Sequence, residues 1–256
     1  MDAKLMTRRR TRAMVLALCA VGPLAAVAQS PATPPDLTGV WGIYRGGRGG
    51  DPKLAAPPAS PLVLKPEYAK PYEARRAVEA AAAQRGEQLA NTSVLCVPYG
   101  VPTMMSVAVY PVELVQTPRQ VTIIAEAFSE VRRVYLDRPQ EKIEDVAPGY
   151  YGRSVGHWEA DTLVVDTVGI KPSVSGYRGM PHSSQMRVTE RFHLVAADIL
   201  HDQITIDDPV VLEKPVTYTV AYKKMPPTYE MVEFVCDNNR EYVDENGVVR
   251  MKVHDR

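Results

Sequence analysis

Nine short stretches between residues 113 and 236 alternate apolar with polar side chains, and they constrain the fold more than anything else in the chain. They are ELVQT (113–117), QVTIIAEAF (120–128), EVRRVYLD (130–137), GRSVGHW (152–158), TLVVDTV (162–168), MRVTERFHLV (186–195), ILHDQITID (199–207), VTYTVAYKK (216–224) and YEMVEFVC (229–236). Each is rich in β-branched or aromatic residues and bounded by turn residues, the pattern of strands with one face on a core. LTGVWGIY, beginning at Leu37, alternates in the same way and opens the fold. EYV and VVRMKV can close a last hairpin around Asn246-Gly247, a pair that accepts φ > 0 at both turn centres. Only PYEARRAVEAAAAQR (71–85) reads as a helix, with Pro71 in its first turn and Gly86 as its stop. Its apolar face is thin, so a peripheral position is expected. Many meandering strands and one helix predict an all-β antiparallel sandwich or barrel, and a barrel removes the exposed edges.

The N-terminus stands apart from this pattern. Lys4, Arg8, Arg9, Arg10 and Arg12 precede the apolar run AMVLALCAVGPLAAVA, which ends in Ala26-Val27-Ala28. A positive segment, a short apolar run and an A-x-A site describe a secretory signal peptide over 1–28. The run is short for a membrane span and broken by Gly22-Pro23. Residues 29–36, QSPATPPD, read as a Pro-rich tether, and 37–256 as the folded domain. The whole chain is formally neutral, so losing five basic residues and one acid leaves the mature chain with a charge of −4. No basic run survives, which sets aside nucleic acid and anionic membrane surfaces as partners. A periplasmic or secreted protein is expected.

Two cysteines remain after cleavage, Cys96 and Cys236, in a compartment where disulfides persist. Sequence leaves a bridge and two buried thiols equally open. No C-x-x-C or H-E-x-x-H occurs, so neither a metal nor a cofactor is expected. The Gly-rich loop GGRGGDPKLAAPPASP (46–61) lacks the helix that a phosphate-binding loop requires. Gly152-Arg153-Ser154-Val155-Gly156 matches G-x-S-x-G, but a nucleophile elbow needs a strand before it and a helix after it. Here a Gly-Tyr-Tyr loop precedes the motif and a strand hairpin follows it, which argues against a serine hydrolase.

Candidate chemistry lies on the strands and their loops. With Ser129-Glu130 as the turn of the 121–136 hairpin, Glu126 pairs with Arg133 and Ala127 with Arg132. One face then carries Ile124, Glu126, Phe128, Arg133 and Tyr135, a mixture that suits either solvent or a ligand cavity. Glu190 sits in an apolar row with Met186, Val188, Phe192 and Leu194. A carboxylate there finds a cation or rises in pKa, as acid–base work requires or as a buried ion pair would show. His182, on the loop SGYRGMPHSSQ, and Asp166, expected to look into the barrel beside an Arg or His, complete the titratable candidates. Tyr99, Met104, Trp158 and Met180 supply a candidate apolar rim.

Gly39-Val40-Trp41 resembles the G-x-W signature of lipocalins and related calycins, in which the Trp plugs one end of an up-and-down barrel. From Cys96 onward the chain also resembles a widespread uncharacterised family of exported bacterial proteins, through CVPYGVPTMM, VTIIAEAFSEVRRVYLD, GHWEADTLVVDT, PHSSQMRVTERF and TIDDP. Ala160 stands where that family usually has Gly. The resemblance implies a lipocalin-like barrel more than any reaction. Together these readings predict an exported barrel that binds a small apolar or aromatic molecule, with isomerase-, hydratase- or lyase-type acid–base chemistry as an extension. Glu126, Asp166, Glu190 and His182 would be the acids and bases, and Arg133 the anion clamp. A packed barrel serving as a structural or interaction module of the envelope is the alternative. The ligand and the oligomeric state are not legible.

Overall fold

The computed structural model describes residues 33–252, except 48, 49, 93, 108, 235 and 237–240. The expected signal peptide and residues 29–32 of the tether lie outside the described residues. Nine strands close into a barrel in sequence order: β1 (Gly39–Ile43), β2 (Val112–Thr117), β3 (Gln120–Ala125), β4 (Glu130–Leu136), β5 (Arg153–Glu159), β6 (Thr162–Val168), β7 (Arg187–Ala196), β8 (Ile199–Asp207) and β9 (Val216–Lys224). The ring is completed by β1, which pairs with β2 through Trp41↔Val112 and with β9 through Trp41↔Lys224. Closure leaves no sheet edge to template another chain.

Alternation decides what the barrel encloses. Trp41, Leu114, Ile123, Leu163, Phe192 and Tyr222 point inward and are at most 1% exposed. A barrel of about this strand number is just wide enough for side chains to occupy its interior, and here they pack into one core cluster. Trp41 also donates from Nε1 to the Leu37 carbonyl at 3.0 Å, satisfying its one polar atom.

Four local expectations need correction. The helix α1 spans Pro66–Gln84, so Pro66 rather than Pro71 takes the first turn, and Pro71 lies inside. Either proline fits a helix start by its fixed φ, and sequence pattern favoured the wrong one. As expected of a peripheral helix, α1 fully buries only Ala82. The β3–β4 turn spans Glu126–Ser129, with Ala125 opposite Glu130 and Ile123 opposite Arg132. Phe128 and Ser129 both take positive φ, 57° and 48°, which lets a longer turn form. The resulting shift of pairing preserves each residue's face but replaces every predicted partner.

The third correction concerns direction. All neighbours are antiparallel except β4 and β5, which run parallel over three residue pairs from Val134↔Ser154 to Leu136↔Gly156. After β4 the chain returns outside the barrel before re-entering, and Gly149 N–H pins the return to the Gly169 carbonyl at 2.9 Å. The fourth concerns YEMVEFVC, whose described residues form no strand. With β9 already paired to β1, this segment has no free edge to join. It becomes a strap held by Val232 N–H on Glu126 at 3.0 Å and by a disulfide between Cys236 and Cys96. A small separate hairpin, β10 (Glu241–Val243) with β11 (Val249–Met251), follows it. Its turn is organised by the Asp244 carboxylate, which accepts from Asn246 and Val248 N–H at 2.9 Å, and only Gly247 takes positive φ.

Candidate functional site

A belt of polar side chains crosses the barrel interior. Arg132 on β4 and Glu190 on β7 form a two-pronged ion pair with side-chain exposures of 1% and 0%. Arg132 Nη1 donates to one Glu190 oxygen at 2.8 Å, and Nη2 donates to the other. Its Nε donates to the Ser154 hydroxyl at 3.0 Å and Nη2 also reaches the Thr167 hydroxyl at 2.8 Å. The two hydroxyls are 2.9 Å apart. A buried guanidinium needs this degree of satisfaction, because each unmet donor would carry a desolvation penalty.

Asp202 on β8 belongs to the same interior and is satisfied by nothing. It is fully buried, and neither carboxyl oxygen has a hydrogen-bond partner among the described residues. Burial, with the Glu190 charge adding to it, pushes the Asp202 carboxyl well above the usual carboxylate range, and Arg132 only partly opposes this. Asp202 is therefore the protonated member of the cluster, beside a neutralised Arg132–Glu190 pair. Burial likewise raises the phenols of Tyr218 and Tyr222 on β9. Tyr222 donates its hydroxyl to the Met105 carbonyl.

Tyr218 connects this interior to the surface. Its ring stacks on Tyr177 with centroids 4.1 Å apart and planes 16° from parallel. Tyr177 comes from the loop between β6 and β7, and Arg178 lies over its ring at 5.2 Å. The two tyrosines border a cleft of about 420 Å³, whose walls also include Ala55, Ala59, Ser106 and Val220. The cleft lies where β1 leaves β9, at the Tyr44 N–H to Ala221 carbonyl hydrogen bond of 2.7 Å.

The residues singled out from sequence are scattered, and only Glu190 joins the interior cluster. Asp166 looks outward, contrary to expectation, and accepts from Arg187 Nη1 at 2.6 Å on the outer face. The parity follows from Val165 and Thr167, which take the inner face of β6. Arg133 is exposed on the outer face of β4, because the neighbouring Arg132 takes the inner one. Tyr135 is also outside, flanked by Arg138 at 5.1 Å and Arg153 at 5.9 Å.

Glu126 is 6% exposed at the β3–β4 turn, where it holds the C-terminal strap. His182 is buried with both ring nitrogens against carbonyls, Val174 at 2.8 Å and Ser183 at 3.0 Å. Met104 and Met180 are core residues at 1% exposure, and Trp158 packs half-buried on the inner face of β5. Tyr99 meets Phe128 edge-on at 5.1 Å and does not line the cleft.

Arg132, Asp202, Ser154, Thr167 and Tyr218 were missed, although alternation could have found them. Arg132 shares a face with Val134 and Leu136, and Asp202 shares one with Leu200 and Ile204, as Glu190 does with Val188 and Phe192. A further carboxylate, Glu130, is 2% exposed and accepts from the backbone N–H groups of Tyr99 at 2.7 Å and Gly100 at 2.9 Å.

The motif-like pieces turn out to be packing devices. Gly152 has φ +58°, and a Cβ there would collide with the Val168 carbonyl oxygen. Gly156 lets β5 approach Val134, and Ser154 is spent on Arg132. Asp208 of TIDDP is fully buried and fastens the His182 loop by accepting from Ser183 N–H at 2.6 Å and its hydroxyl at 2.8 Å. Among the described residues, no group of three or more His, Cys, Asp or Glu could hold a metal ion. No protein-family model matches the chain, and no curated protein matches it.

Proposed function

We propose that this protein binds a small, mostly apolar or aromatic molecule in the cleft at the β1–β9 parting. The carrying observation is the Tyr177–Tyr218 stack, in which a residue of the β6–β7 loop lays a planar ring on a ring rooted in the barrel. A planar ligand would take the place of Tyr177 against Tyr218. The cleft volume, about 420 Å³, falls within the range of small-molecule sites, and its walls mix apolar side chains with a few polar groups. Export to the periplasm or beyond belongs to this reading. The basic, apolar and A-x-A segments of residues 1–28 support it, as does the Cys96–Cys236 disulfide, which suits an oxidising compartment.

The experiment is a titration of the mature chain with p-cresol, followed by NMR shifts of Tyr177 and Tyr218. Tyr218→Leu should weaken binding about tenfold, by loss of one stacking face. Tyr177→Ala should leave binding intact or tighten it, since it removes the competing ring. Absence of any shift at millimolar p-cresol would refute the reading.

A second reading, a closed barrel acting as a structural or interaction module, is favoured by the packed core cluster described above. It predicts no saturable binding of any small aromatic molecule.

A further inference from the structure

We infer that Asp202 is the innermost group of the ligand site, holding the polar end of an uncharged aromatic molecule such as a phenol, an aromatic alcohol or an aromatic amide. This rests on the binding reading above and extends it from a stacking cleft to a two-part site. Three observations carry it. First, Asp202 lies directly across from Val220 in the β8–β9 register, and Ile204 lies across from Tyr218. Directly opposed residues share a face, so the cleft residues Tyr218 and Val220 and the Asp202 carboxyl are inner-face neighbours on adjacent strands.

Second, Asp202 is a fully buried carboxyl whose two oxygens meet no hydrogen-bond partner among the described residues. Folded proteins pair nearly all such atoms, and an orphan calls for an explanation, which the polar group of a ligand supplies. The rest of the belt shows that this interior satisfies polar groups well: Arg132 spends Nε, Nη1 and Nη2 on Ser154, Glu190 and Thr167.

Third, the charges in the belt select the ligand's charge. Arg132 and Glu190 neutralise one another, so the inner end of the site presents no unspent cation beside Asp202, and the cations Arg45 and Arg178 belong to the outer cleft wall. Asp202 keeps its proton, because burial and Glu190 both disfavour its ionised form. A protonated carboxyl offers one donor and one acceptor, which matches a hydroxyl or a carboxamide and not a carboxylate. Apolar walls with one donor–acceptor group at the inner end would hold the ring on Tyr218 and the polar substituent toward Asp202.

The test compares p-cresol with toluene, which differ by one hydroxyl, on the mature wild-type chain and on Asp202→Asn and Asp202→Leu. Calorimetry and NMR titration give both affinities, and thermal melts establish that each variant folds. The wild type should bind p-cresol at least tenfold more tightly than toluene. Asp202→Leu should abolish or invert that preference. Asp202→Asn, which keeps the volume and both hydrogen-bonding senses, should retain most of it, and it carries the test if the leucine variant does not fold, through a preference shifted toward amide-bearing benzamide. An unchanged ratio in folded Asp202→Leu, or an unshifted benzamide preference in Asp202→Asn where the leucine variant does not fold, would overturn the inference while leaving the stacking cleft standing. Absence of binding by both probes to the wild type would overturn the cleft and the subsite together. Loss of thermal stability without a change in ratio would make Asp202 a brace, and would equally overturn the inference.

Discussion

Arg132 and Glu190 meet side-on at the centre of the barrel, neither touching solvent, with two guanidinium nitrogens matched to two carboxylate oxygens. Removing one partner strands the other. Arg132→Met should therefore cost about 3–5 kcal/mol, because Glu190 and Asp202 would share the interior without a cation. The double change Arg132→Met with Glu190→Leu should recover most of that loss, since well-packed apolar side chains can replace a buried pair at little net cost. Urea denaturation of both variants checks this, and a double variant weaker than the single would contradict it.

Asp202 makes stability depend on pH. Its carboxyl is raised in the folded chain, whereas the unfolded chain releases the proton near the ordinary value of about 4. The folded state thus holds more protons above that value, and stability falls as pH rises through the folded group's titration. Its contribution is complete only below the ordinary carboxylate range. Glu130, raised by burial, acts in the same direction, while lowered Asp36, Glu159 and Asp244 act in the opposite one. All four are common to wild type and Asp202→Asn. The melting temperature of the wild type should consequently drop more between pH 4 and pH 8 than that of the variant. Parallel curves would show that Asp202 does not keep its proton.

The disulfide spans 140 residues and ties the C-terminal strap to the segment before β2. Closing a loop of that length is worth about 5 kcal/mol in the chain-entropy treatment. Cys96→Ser with Cys236→Ser should lower the melting temperature by roughly 10 °C or more. Limited proteolysis should then cut between Tyr229 and Phe234 first, where the hydrogen bonds to Glu126 and the ring contacts of Phe234 with Tyr110 and Phe128 remain. Cleavage first within β7–β8 would show that the strap is held by something else.

Gly152→Ala should destabilise by about 2 kcal/mol or more, from a positive φ and a collision with Val168. Ser154→Ala should instead cost about 1–3 kcal/mol by leaving Arg132 Nε unmatched. The two melts together separate a packing motif from a nucleophile motif. A serine-directed fluorophosphonate should label neither Ser154 nor its variants, and labelling would contradict the packing assignment.

The barrel was legible because period-two alternation survives in nearly every strand: the predicted bounds of TLVVDTV, ILHDQITID and VTYTVAYKK coincide with β6, β8 and β9. Direction was not legible. Nothing in residues 137–152 announces that the chain travels back before β5, so the parallel pair emerges only in three dimensions. Nor does alternation say which face is inner when both contain charge. Arg132 and Arg133 are adjacent and chemically identical, and the more polar neighbours of Arg133 drew the clamp assignment to the outer one. Glu190 stood out because its row is apolar, yet Asp202 in an equivalent row was hidden among the nearby His201 and Gln203. The cleft depends on Tyr177 and Tyr218, separated in sequence by a full pair of strands, and such a meeting leaves no local trace.

The way β1 completes the ring sets an order of assembly. Three of its five residues, from Trp41 to Ile43, pair with β9 between Lys224 and Tyr222, about 180 residues later in the chain. A chain emerging from the ribosome N-terminus first must leave β1 without one of its two neighbours until almost everything else has arrived. Such distant pairing makes closure a late and slow event. Trp41 is consequently a natural clock for it: its indole passes from water to a 1% exposed interior only when the last seam is sewn. Trp158 sits on a hairpin whose strands are consecutive, so its emission should settle earlier, and the interval between the two signals measures how long the unfinished barrel stays open.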